Sequence, residues 1–96
     1  MKFSISKEKA LEILKIYQAD MLGWCRDLSY TPTKKETSEA LIMAYMTLCN
    51  TNSNTGVIKA LINNQQYNVE LPKEVTNDVI DKTIDKALNA LSNENF

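Results

Sequence analysis

Apolar residues along this chain recur mainly at helical spacing, and the pattern predicts four helices with two short alternating segments beside them. The densest run is ALIMAYMTLC over 40–49, where the one polar residue, Thr47, carries a methyl group. A helix that is apolar nearly all round is normally buried. The run therefore predicts the central element of the fold, a helix over 34–50. Its start is well marked: Pro32 interrupts any preceding helix, and Thr33 with Glu36 has capping-box spacing.

The other elements are more ordinary amphipaths. Over 7–29, Ala10, Leu14, Tyr17, Met21, Trp24 and Leu28 recur every three or four residues, opposite Glu8, Lys9, Glu12, Lys15, Asp20, Arg26 and Asp27. Ser6 is placed to cap this helix, and Gly23 is its soft point. The polar stretch NTNSNTG precedes a short helix over 55–63, capped by Asn54 or Thr55 and ended by Asn63 and Asn64. After Pro72 comes a last helix over 73–92, with Val79, Ile80, Ile84, Ala87, Leu88 and Leu91 on its apolar half. The alternating segments 2–5 and 67–71 leave room for a minor two-stranded β ribbon. The predicted fold is mainly α: a single domain spanning 1–96, built as a small bundle of three to four helices.

Composition narrows the function more than it identifies it. Eleven basic residues stand against twelve acidic ones, for a formal net charge of −1. That balance makes a nucleic-acid partner or an anionic membrane surface a poor expectation, since both are recognised chiefly by basic faces. No apolar run approaches the roughly 18 residues of a membrane span. The absence of histidine removes the commonest general base and the commonest neutral metal ligand. The opening MKFSISKEKA has no apolar core of the signal-peptide kind, so the expectation is a cytoplasmic protein. Cys25 and Cys49 are then expected as buried, reduced thiols.

No motif points to catalysis, and the expectation is a non-enzyme with no cofactor and no metal. Glu74, Asp78, Asp81 and Asp85 form an acidic stripe without calcium-loop spacing, which reads as a solvated helix face. The segment 38–64 has too long a turn for a helix-turn-helix and offers no arginine to a base edge, which leaves a small DNA-binding regulator as a distant alternative. What remains is interaction. Met43, Tyr45 and Met46 on the second helix form an adaptable apolar surface, with Trp24, Tyr30, Tyr67 and Val69 as further contact candidates. The leading expectation is a protein-interaction module that binds a protein partner or self-associates as a dimer or higher oligomer. The nearer alternative is an oligomeric small-molecule binder that sequesters its ligand. The short, asparagine- and lysine-rich chain also has the composition of small accessory proteins of low-G+C bacteria and their phages, such as inhibitors of host defence or immunity proteins, an expectation resting on no motif.

Overall fold

The computed structural model describes residues 3–24 and 30–94. Its elements are α1 (Lys7–Leu22), α2 (Lys34–Asn50), α3 (Gly56–Tyr67) and α4 (Asn77–Ser92). Among the described residues there is no strand: Phe3–Ile5 is irregular, Tyr67 is the last residue of α3, and 68–71 is coil. The alternation in those segments serves packing instead. Phe3, Ile5 and Leu71 lean against the helical core, so they fold without a ladder of backbone bonds. Lys2, the first residue of the expected ribbon, lies outside the described residues.

Helix 2 has the predicted bounds, and its start is the capping box. The Glu36 N–H donates to the Thr33 hydroxyl at 3.1 Å, and the Thr33 N–H donates to the Glu36 carboxylate at 2.9 Å. The other three helices differ from expectation at one end each. Helix 1 stops at Leu22 because Gly23 takes the left-handed conformation (φ 70°), with its N–H bonded back to Asp20 and that of Trp24 to Ala19. This is the Schellman arrangement, in which a residue without Cβ reverses the chain at no steric cost. Residues 25–29, the rest of the expected helix, lie outside the described residues. Helix 3 runs through Asn63 and Asn64 to Tyr67 and ends at Asn68, which is itself left-handed (φ 55°). Helix 4 begins four residues later than expected. Pro72 and Lys73–Glu74 form a turn closed by the Val75 N–H to the Pro72 carbonyl at 3.0 Å, and Thr76 then caps the Val79 N–H at 3.3 Å.

Helix 2 packs on all three other helices, whereas the backbones of α1 and α3 stay apart. Helices α1 and α4 run antiparallel: Lys7 at the start of α1 donates to the carbonyl of Glu94 (2.9 Å) beyond α4, and Gln18 near the end of α1 meets Asp81 near the start of α4. The core is Ile13, Leu14 and Tyr17 of α1, Leu41, Met43 and Leu48 of α2, Ile58 and Leu61 of α3, and Ile80, Ile84 and Leu91 of α4. Each large aliphatic side chain buried this fully contributes about 1.5–3 kcal/mol. Ala10, Ala40, Ala44 and Ala87 are fully buried and let the helix backbones approach closely. Thr47, inside the apolar run, is also fully buried, and its hydroxyl donates to the Met43 carbonyl at 2.9 Å. No helix among the described residues is long and apolar enough to cross a membrane.

Candidate functional site

Three large apolar side chains of the described chain are exposed. Trp24 (52 % exposed) follows α1, Tyr67 (70 %) closes α3, and Val69 (51 %) follows it. The end of α1 meets the start of α4 around Trp24, and the C-terminal part of α1 shares a cleft with the start of α2 and the end of α3. Trp24 borders a shallow depression with Leu22 and the α4 residues Asn77, Asp78 and Asp81. Val69 is tied down by its carbonyl, which accepts from the Asn64 side-chain amide at 3.0 Å.

The residues expected to form the contact surface of α2 fare differently. Met43 is 1 % exposed and belongs to the core. Helical geometry puts Ile42, Tyr45, Met46 and Cys49 on one outward stripe, where the first three are half-buried and Cys49 is exposed. Cys49 is thus not the buried thiol expected of it, because it falls on the one side of α2 without a helix over it; Cys25 lies outside the described residues. Tyr45 packs against the core and carries the Lys59 ammonium 5.6 Å from its ring centre. Tyr30, expected as an exposed aromatic, is half-buried against the core with the Lys9 ammonium 4.0 Å from its ring centre. Loss of water contact, and then the hydrogen bond and negative charge of Glu36, raise the Tyr30 hydroxyl above its ordinary pKa. The Glu36 carboxyl is lowered in turn, first by the Thr33 backbone N–H and then by Tyr30. The structure therefore leaves Trp24, Tyr67 and Val69 exposed, buries Met43 in the core, and half-buries Tyr45, Met46 and Tyr30.

The structure also holds a cleft of about 560 Å³ that the sequence pattern did not signal. It opens between α1 and α3, the pair of helices whose backbones stay apart. One wall is α1, with Ile16, Tyr17, Asp20 and Met21; the opposite wall is the end of α3, with Asn64, Gln65 and Asn68. Thr31, Pro32, Lys34 and Thr37 close it from the turn into α2. Tyr17 is 5 % exposed, and its buried hydroxyl has no hydrogen-bond partner among the described residues. Burial pushes its pKa up to about 12, because the phenolate would be charged and poorly solvated there. In sequence, Asn64 marked a helix end and Asn68 fell in an alternating segment; only the longer α3 makes them, with Gln65, one wall.

The acidic stripe is divided among structural duties. Glu74 lies in the turn before α4, and Asp78 pairs with Lys82 at 3.1 Å on an exposed face. Asp81 and Asp85 accept from the buried Gln18 amide at 2.8 and 2.9 Å, so two carboxylates share one neutral donor across the α1–α4 contact. Among the described residues no three histidine, cysteine, aspartate or glutamate side chains come together as metal ligands. At the far edge of the fold the Ser4 N–H and hydroxyl both donate to Glu39, which holds that carboxyl below its usual range. Compared with protein-family models, curated proteins and solved structures, the chain matches none.

Proposed function

We propose that this protein is a non-enzymatic interaction module, and that its contact surface is the one bearing Trp24, Tyr67 and Val69 rather than helix 2. The observation that supports the reading is the exposure of these three side chains while the richer apolar run of α2 is spent largely on the core. Aromatic anchors ringed by polar groups are the usual centre of a protein interface. Asp78, Asp81 and Asn77 beside Trp24, and Asn64 and Asn68 beside Tyr67 and Val69, supply such a rim. The partner is a protein that receives the two aromatic rings in apolar pockets.

The test uses the full chain and a Tyr67→Ser, Val69→Ser double variant. Both positions are exposed, so circular dichroism should show the same helical content in each. Wild-type protein immobilised against lysate of the cells that carry its gene should retain a specific protein that the variant loses. Sedimentation of the two forms shows whether the partner is instead a second copy, in which case the variant becomes monomeric. Equal retention by both forms, or retention of nothing by either with both monomeric, overturns the proposal.

A further inference from the structure

We propose that the surface around Tyr67 and Val69 takes its protein partner as an added β-strand, paired with the main chain at Glu70. The inference rests on the interaction surface proposed above and names what that surface receives: an extended segment of another protein, held by backbone hydrogen bonds. The sequence supplies the first observation. Tyr67-Asn68-Val69-Glu70-Leu71 alternates apolar with polar residues, and tyrosine and valine favour strands. Tyr67 is drawn into α3, but from 68 to 72 the chain runs with neither turn nor bend, and no strand lies beside it among the described residues.

Hydrogen bonding supplies the second. The N–H groups of Val69, Glu70 and Leu71 donate to nothing among the described residues. Elsewhere the connecting chain closes on itself: the N–H groups of Thr51, Asn52 and Ser53 return to carbonyls at the end of α2, and those of Val75 and Thr76 to Pro72 and Glu74. A straight, strand-prone run with open donors is the template that an incoming strand pairs with.

Orientation is the third. The Val69 carbonyl accepts from the Asn64 side-chain amide at 3.0 Å, so it faces the end of α3. The peptide bond is planar and trans, so the Glu70 N–H across the same plane points away from Asn64. Glu70 is exposed. In extended chain a residue's carbonyl shares the edge of its N–H, and Glu70 thus offers donor and acceptor together, the pair that opposed residues of an antiparallel ladder exchange. The edge is short. Pro72 has no N–H, and the Asn68 backbone N–H is spent on the Asn64 carbonyl at 3.1 Å. Tyr67 and Val69 beside it are exposed and face the side chains of the added strand.

The experiment separates main chain from side chain at position 70. Full-length wild type, Glu70→Ala and Glu70→Pro are immobilised against lysate of the cells that carry the gene, beside the Tyr67→Ser, Val69→Ser variant. Proline removes the N–H, and the extended geometry it imposes on Val69 suits a straight chain, so circular dichroism should show unchanged helical content. Glu70→Ala should hold the partner as wild type does, whereas Glu70→Pro should hold it at least about tenfold more weakly. With the retained protein purified, hydrogen exchange at the Glu70 amide of the wild-type chain should slow in the complex, a readout that needs no variant. Equal binding by Glu70→Pro, or an amide that exchanges as fast in the complex, overturns strand addition and leaves the interaction surface standing. Equal loss in Glu70→Ala does the same, since the carboxylate would then be the recognised group. Self-association as the sole binding event also overturns it, because two copies paired at Glu70 would set like charges opposite each other. Retention of nothing by any form, with all of them monomeric, overturns both readings.

Discussion

Tyr17 is the residue whose chemistry is most at odds with its surroundings. A phenol with 5 % exposure and no hydrogen-bond partner among the described residues bears the desolvation cost of its hydroxyl with no return from any of them. Tyr17→Phe is therefore expected to leave stability unchanged or raise it by about 1 kcal/mol at neutral pH, as read from the urea midpoint. The pH dependence has a definite sign. With a folded pKa of about 12 against an ordinary 10.0, the contribution is intact below pH 10. It is lost as the pH rises from 10 to 12, because the unfolded chain ionises first. The loss amounts to about 2–3 kcal/mol, and Tyr17→Phe should abolish it in a series of unfolding curves across that interval. The helical spacing put Tyr17 on the apolar face of α1, but nothing in the spacing could tell that it would be core or that its oxygen would be stranded. That depends on which groups the neighbouring helices bring to it.

Among the elements, α2 was the most legible. Its capping box, its proline-marked start and its dense apolar run all agree with one another, and agreement between local signals is what makes a boundary readable. Its burial was less so. A run apolar on every side does not say which side lacks a neighbour, and here that side is the stripe of Ile42, Tyr45, Met46 and Cys49. The contrast between two methionines tests this. Met43→Asp puts an unpaired charge in the core and should cost about 4 kcal/mol or more, enough to unfold a small domain. Met46→Asp should leave a folded helical protein, because the side chain is half-buried and can reach water. Circular dichroism of the two single variants decides the matter, and equal damage from both would contradict the burial described. The α1–α4 pair offers a second test. Gln18 is neutral, and its amide bridges Asp81 and Asp85. Gln18→Glu would set three carboxylates together and raise their folded pKa values by like-charge repulsion. The variant should be destabilised at pH 7 and recover toward wild type as the pH falls into the carboxylate range, seen as melting temperatures that converge on acidification. A melting temperature that is equally low at every pH would show that packing, rather than charge, is at fault.

At the scale of the whole molecule, α2 is the shared partner of every other helix, so no pair of helices can leave without exposing it. Unfolding should be a single transition, with the far-ultraviolet helical signal and the near-ultraviolet tyrosine signal coinciding. Separate midpoints would mean that α4 or α3 melts from the rest. The sequence alone determined that the chain is helical and which faces are apolar, and it located the strong caps. Those properties follow from spacing and from contacts within a few residues. It did not determine how far α1 and α3 extend, because Gly23 and Asn68 end them through left-handed geometry that only the adjoining packing selects. Nor could it reveal the alternating segments as irregular packing arms, since Phe3, Ile5 and Leu71 look the same whether a strand or a helix face receives them. The cleft belongs wholly to the tertiary structure. It arises because α1, the turn into α2 and the end of α3, distant in the chain, line one space while the backbones of α1 and α3, packed on common neighbours, stay apart.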